Sequence, residues 1–415
     1  MQIFAASYVL PISSPPIAGG AVAVHDGRIM DVGTLDNLRA AWNAPVLDYP
    51  DSIMIPGLVN AHAHLELTHF PAWKMRKDLD YAPRTYVDWV IQVIKIKRGL
   101  EIQELEASLL EGIRISLEAG TTAIGDVISD RRLLPAYNGS TFTGRLFFEA
   151  LGQEPASCKA LAGKLEETLR TFSARDILPG LSPHAPHTLS PAFFQDLKRL
   201  AESLSVPLMT HLSESPEEAA FMHDSTGRIA ELLYPFVHWE DYLPAPMRTT
   251  SAAYLDSLGV LDSSTIAVHC VHITPADAEI LKKRGVRAVI CPRSNDKLAV
   301  GRAPAHLLKT AGIPLALGTD SLASNDSLSL WDEMRFVLAD TPDAFTPEEL
   351  LRMASLGGAE VLGLDKETGS LEKGKRADFL VIGNPKGASG KDMHRALIEE
   401  GRLAEVFVAG VPITV

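Results

Sequence analysis

From about residue 53 onward the chain alternates between two textures: apolar runs of four to eight residues, and longer stretches in which apolar positions recur at helical spacing. That alternation is the mark of βα units laid on a parallel sheet. Strand candidates begin near Ile53 (IMIPGLVNAHAH), Thr121 (TTAIGDV), Arg145 (RLFFEAL), Leu178 (LPGLSPH), Val206 (VPLMTHL), Thr265 (TIAVHCVH), Arg287 (RAVICPRS) and Pro314 (PLALGTDS). Eight strands over roughly 315 residues predict a closed (β/α)8 TIM barrel. The stretch Glu101–Ala119 predicts a helix stopped at Gly120, whereas Thr68 to Arg84, rich in Pro, Lys, Arg and Asp, reads as a long loop.

The two ends of the chain differ from the middle. AVAVHDGRIMDVG near the start, and GSLEKGKRADFLVIGN and EEGRLAEVFVAGVPITV near the end, are short β-branched runs cut by Gly and charged turns. Residues 1–52 and 368–415 are therefore expected to share a small composite β-sandwich domain beside a barrel over 53–367. GSLEKGKR mimics a phosphate loop, but Arg376 stands where Ser or Thr would bind Mg²⁺ and no helix follows, so it is discarded.

Composition narrows the partners. A net charge of -13 over 415 residues disfavours a nucleic-acid polymer and favours a small-molecule substrate. Three cysteines without a C-x-x-C pair disfavour a disulfide framework and a thiolate zinc site. The start of the chain lacks a basic n-region and no apolar stretch reaches the roughly 18–20 residues of a membrane span, so a soluble, cytoplasmic protein without a membrane partner is expected.

Nearly every strand candidate ends in a polar or ionisable residue: His62, His64, Asp126, Glu149, His184, His211, His269, Asn295 and Asp320. In a (β/α)8 barrel these ends converge on one face, and burying so many ionisable groups together is costly without a metal or substrate. His62-x-His64 sits just after the first strand, where alternate residues point to the same side and both imidazoles can reach one ion. Asp320 alone would read as a helix N-cap. With His62, His64 and His211 it completes an N/O site suited to one divalent metal, Zn²⁺ first, with Fe²⁺ or Mn²⁺ as alternatives.

Glu214, three residues after His211, is placed as a general acid/base beside such a metal, which would lower the pKa of a bound water to about 7. Of His269 and His272, three apart, His269 is taken as the inward one. His184 and His187, between prolines, suit substrate contact. No G-x-S-x-G elbow, H-E-x-x-H helix or cytidine-deaminase signature is present.

PGLVNAHAHLE, HLSESPEE, HCVH, CPRSNDKL and LGTDSLASNDSLSLWDEMR together resemble the amidohydrolase superfamily, in its branch of chlorohydrolases and aminopurine-nucleoside deaminases. The resemblance runs nearly the whole chain. It implies His62, His64, His211 and Asp320 as ligands of a mononuclear metal, Glu214 as proton shuttle, His269 beside the water or the bond attacked, and His184 as a substrate contact; Asp320 could also help orient the water. It also implies Asp88, before Trp89, as the ribose contact, with Asp where relatives carry Glu. Arg145 could reach an anionic tail of the substrate or form a salt bridge at the edge of the core. His187 departs from the Tyr of many nucleoside deaminases.

HAHLELT, YVDWVIQVIKIKRG, CPRSN and TDSLASNDSL are most similar to deaminases of 6-aminodeoxyfutalosine, a menaquinone-pathway intermediate. S-adenosylhomocysteine, methylthioadenosine and adenosine deaminases come next, and a homodimer is the assembly common among relatives. Two other readings stay open at this point. One is a chlorohydrolase or ring-amide hydrolase acting on a heterocycle, because sequence fixes the attacking group better than the leaving group. The other is a non-catalytic scaffold, which should have lost ligands that this chain keeps.

Overall fold

The computed structural model describes residues 1–385 and 390–413. The first strands are β1 (Gln2–Val9), β2 (Ile17–Ala18), β3 (Gly20–His25), β4 (Arg28–Thr34) and β5 (Val46–Pro56). Alternation along β1 places Ile3 and Ala5 on one face and Phe4 and Ala6 on the other, each against its own apolar cluster.

The barrel follows as β6 (Leu58–Ala63), β7 (Thr121–Ile128), β8 (Thr143–Ala150), β9 (Ile177–Pro183), β10 (Leu208–Leu212), β11 (Thr265–His269), β12 (Arg287–Ile290) and β13 (Leu315–Leu317). These strands pair in sequence order, all parallel. The ring closes where Ala63 bridges Asp320, and the amides of Thr319 and Asp320 each donate to the His62 carbonyl at 3.1 Å. Asn60 reinforces the seam, donating to Thr319 Oγ1 at 2.7 Å and accepting from the Thr319 amide at 3.2 Å.

The chain then returns through β14 (Phe379–Gly383), β15 (Arg402–Val408) and β16 (Val411–Pro412) to the first sheet, whose order is β16-β15-β14-β5-β1-β3-β4 with β2 on β1. The small β unit built from both termini is thus one hydrogen-bonded sheet of eight strands. Phe4, Phe379 and Phe407 pack together on one face, the last two stacked at 4.5 Å. Residues 386–389 and 414–415 of the expected terminal unit lie outside the described residues. Among the described residues no helix is long and apolar enough to cross a membrane.

Two sequence expectations change. The apolar run from Ile53 to His64 is two strands: Ile53–Pro56 belongs to the terminal sheet, paired with β1 and β14, and the barrel begins at Leu58. Gly57 makes the junction, since a Cβ there would overlap Thr122. Periodicity cannot separate two buried strands joined by one residue.

The segment Thr68 to Arg84 is likewise no continuous loop. Phe70–Arg76 is a helix, started by Pro71 in its first turn, burying Phe70 and Trp73 and carrying Lys74 and Arg76 in its last turn. The helix expected over Glu101–Ala119 runs Ile102–Glu118, with the Glu101 amide donating to Glu104 at 3.0 Å and Gly120 following at φ 87°.

Candidate active site

The C-terminal strand ends bring His62, His64 and His211 together, with one potential ligand atom from each lying within 4.8 Å of the others. Asp320 Oδ1 stands 3.8 Å from the Nε2 atoms of both His62 and His64. Such spacings are on the scale of two ligand bonds of about 2 Å meeting at one ion.

The donors are prepared for a cation. His62 Nε2 is buried and has no hydrogen-bond partner, and a buried polar nitrogen left unpaired costs free energy that a metal would recover. His211 Nδ1 is committed to the His184 carbonyl at 2.9 Å, which leaves Nε2 as its free lone pair. Burial, with His64 next, pushes His62 well below the usual histidine range, and burial, with His184 next, does the same to His211. Both rings are therefore neutral and able to ligate at pH 7.

Asp320 is aimed by two hydroxyls: Ser294 and Ser324 each donate to Oδ2 at 2.7 Å, so that Oδ1 faces the histidines. Burial raises its carboxyl, but His64, His269 and His62 outweigh that and hold it below the usual range. Ser213, His269 and Asp320 sit at φ 53°, 71° and 59°. For non-glycine residues that left-handed backbone is strained by about 1–3 kcal/mol each, the kind of strain kept where function needs it.

Glu214 stands opposite the cluster. Tyr86 donates to its Oε2 at 3.0 Å, and its Oε1 lies 3.7 Å from His269 Nε2. Burial pushes the carboxyl up to about 7 against the opposing pull of His269. Its turn is clamped by Glu218, a buried residue that sequence reasoning passed over, which accepts the amides of Ser213 and Glu214 at 2.8 and 2.9 Å and the Ser251 hydroxyl. His269 Nδ1 is bonded to Asn295 Oδ1 at 2.9 Å. His272 turns away, its Nε2 on the Val300 carbonyl at 2.7 Å.

A cavity of about 490 Å³ opens above these groups, large enough for a nucleoside-sized ligand. His64, His184, His211, Glu214, His269 and Asp320 line its floor. Its upper wall is apolar, from Trp89, Val90, Val93 and Ile94 on the Tyr86–Lys97 helix and from Leu233, Val237 and Trp239. Lys97 borders it, bonded to buried Glu66 at 2.6 Å and to Ser129 at 2.9 Å. His184 Nδ1 meets Thr188 Oγ1 at 3.0 Å.

Other residues singled out in the sequence fall elsewhere. The substrate contact expected of Arg145 is corrected: the residue lies at the start of β8, on the opposite mouth of the barrel, and donates to the Leu362 and Pro179 carbonyls at 3.1 and 2.7 Å. Asp88, expected as the ribose contact, is not among the cavity-lining residues, and its carboxylate accepts from Arg228 at 2.7 Å. Asp126 holds the turn after His64, accepting the Leu65 amide at 2.9 Å and the Tyr137 hydroxyl. His187 is buried behind the floor among Tyr86, His184 and Phe221 with both ring nitrogens unpaired, and burial pushes it down to about 3.

A (β/α)8 barrel whose strand ends bring histidines and an aspartate together beside a buried acid defines a class: the chain belongs to the amidohydrolase family, which it matches over residues 53–413. Residues 20–42 also match an imidazolonepropionase-like composite domain of bacteria. The chain is 32% identical over 389 residues, 90% of this chain and 83% of the relative, to a 5-methylthioadenosine/S-adenosylhomocysteine deaminase of Moorella thermoacetica.

Among solved structures, a zinc-bound adenosine deaminase of Xanthomonas campestris superposes with a TM-score of 0.79 at 26% identity, over 99% of this chain and 92% of that one. The Helicobacter pylori aminofutalosine deaminase with methylthio-coformycin shares the fold with a TM-score of 0.87 at 22% identity, over the full length of both chains. The protein is a hydrolase acting on C–N bonds.

Proposed function

We propose that the protein is a hydrolytic deaminase of a 6-aminopurine nucleoside, with 6-aminodeoxyfutalosine the first candidate substrate and S-adenosylhomocysteine, methylthioadenosine and adenosine next. The observation that carries this reading is Glu214, a buried acid with a carboxyl near 7, set across from the His62, His64, His211 and Asp320 cluster at the floor of a nucleoside-sized cavity. A proton carrier for deamination has to give and take a proton near neutral pH, and burial tunes Glu214 for that.

His62, His64, His211 and Asp320 would hold the ion, Zn²⁺ first, which when bound supplies Lewis acidity and an activated water. Glu214 takes the proton released as water adds to C6 and delivers it to ring nitrogen N1. It then moves the second proton to the amino group, which leaves as ammonia while the C6 oxygen becomes the product carbonyl. His269, fixed through Asn295, would hydrogen-bond the entering oxygen. His184 meets the purine edge.

The substrate order rests on the YVDWVIQVIKIKRG and TDSLASNDSL motifs and on the apolar upper wall, which would bury an apolar extension beyond the ribose that adenosine lacks. With 6-aminodeoxyfutalosine as substrate, the enzyme would serve menaquinone synthesis.

Ammonia release from these four nucleosides, adenine and guanine, by metal-analysed protein, is the test. Deamination of a nucleoside, lost on chelation and restored by Zn²⁺, Fe²⁺ or Mn²⁺, supports the reading. Glu214→Gln should cut kcat by about 1,000-fold or more with metal content unchanged. Ammonia from no substrate at one metal per chain moves the assignment to a dechlorinating or ring-amide hydrolase.

A further inference from the structure

One carboxylate of the cavity takes no part in the chemistry above. Glu149 ends β8, in register with Ser182 of β9, and lines the cavity together with His184. The other two cavity carboxylates are engaged: Asp320 is held by Ser294 and Ser324 and faces His62 and His64, while Glu214 is held by Tyr86 and faces His269. Among the described residues Glu149 has neither a hydrogen-bond donor nor an ion pair. Its charge reaches Lys97 and His184 only through space, and Lys97 is already matched by Glu66 at 2.6 Å.

A partly buried carboxylate with open lone pairs is costly to desolvate unless a ligand brings donors to it. The chemistry of those donors follows from where Glu149 stands. His184 lies 4.8 Å from His211, centroid to centroid, so Glu149, on the neighbouring strand, borders the floor at its edge. A ligand whose reacting ring sits on the cluster meets that edge with whatever is attached to the ring. In a ribonucleoside this is a sugar with two vicinal hydroxyls, and one carboxylate accepts both at once through its two oxygens. Asp88 does not line the cavity and is paired with Arg228.

We infer that Glu149 binds the 2′,3′-diol of the substrate ribose and makes the enzyme selective for ribonucleosides; the inference rests on the nucleoside-deaminase reading.

The test is a double-mutant cycle on the holoenzyme, crossing Glu149→Gln with adenosine against 2′,3′-dideoxyadenosine. Wild type should lose about 10-fold or more in kcat/KM when the diol is removed, mainly through KM, as for a hydrogen bond to a charged group. Glu149→Gln should lose a comparable factor on adenosine, and variant plus dideoxy substrate should lose little more than either change alone. Additive losses overturn the assignment, as does a wild type indifferent to the diol, a result that needs no variant to fold. Deamination of adenosine with additive losses sinks Glu149 alone; ammonia from no nucleoside sinks the underlying reading as well.

Discussion

The floor and the upper wall of the cavity are built on different principles. The groups on the floor issue from strand ends whose backbone is fixed by the barrel, and four of them are aimed by a second residue: His211 by the His184 carbonyl, Asp320 by two serines, Glu214 by Tyr86 and Glu218, His269 by Asn295. The upper wall comes from the Tyr86–Lys97 helix and from residues 233–239, which lie between barrel strands and contribute mostly apolar side chains. A reacting centre tolerates little displacement, and strands supply that rigidity. Selectivity for a substituent needs only shape, and connecting segments can vary shape without disturbing the barrel.

If the floor depends on its supports, damage to a support should cost nearly as much as damage to a reacting group. Glu218 touches nothing in the cavity, yet it holds the amides of Ser213 and Glu214. In Glu218→Gln one amide is left facing a donor and the Glu214 turn relaxes. The expected loss is about 100-fold in kcat, with metal content and KM nearly unchanged. A loss confined to thermal stability, with kcat intact, would show that Glu214 is positioned without Glu218.

The upper wall should behave in the opposite way. Trp239 borders the cavity and packs edge-on against Tyr234 at 5.7 Å. Trp239→Ala should raise KM by roughly 10-fold for nucleosides with an apolar 5′ extension, leaving kcat and the adenosine KM within experimental spread. An equal rise for adenosine would mean that the wall orders the floor and not only the substituent.

The same division explains what was legible in the sequence. The floor residues are polar side chains that end apolar runs, a contrast visible one residue at a time, and barrel topology supplies their convergence. Glu218 was not visible, because SPEE reads as the capped start of a helix and nothing local reveals which amides its carboxylate meets. The Phe70–Arg76 helix was not legible, because its Pro71 and clustered charges look like loop. Gly57 hid the passage from terminal sheet to barrel because both flanking strands are buried. Arg145 failed for a simpler reason: it stands at the beginning of its strand, and only strand ends reach this mouth.

Asp88 gives the smallest effect and the sharpest separation of element from site. The family resemblance implied a sugar contact for this acid before Trp89, and Trp89 does line the cavity. Asp88 itself, in the first turn, points around the helix to Arg228, which also meets Thr85 at 3.0 Å. The two side chains are 26% and 41% exposed, so the pair is well screened and worth at most about 1 kcal/mol. Asp88→Asn should lower Tm by no more than about 2 °C and leave KM for every nucleoside unchanged. A KM rise for ribonucleosides that spares 2′,3′-dideoxyadenosine would instead mean that Asp88 leaves Arg228 when substrate arrives, and that the helix start belongs to the site after all.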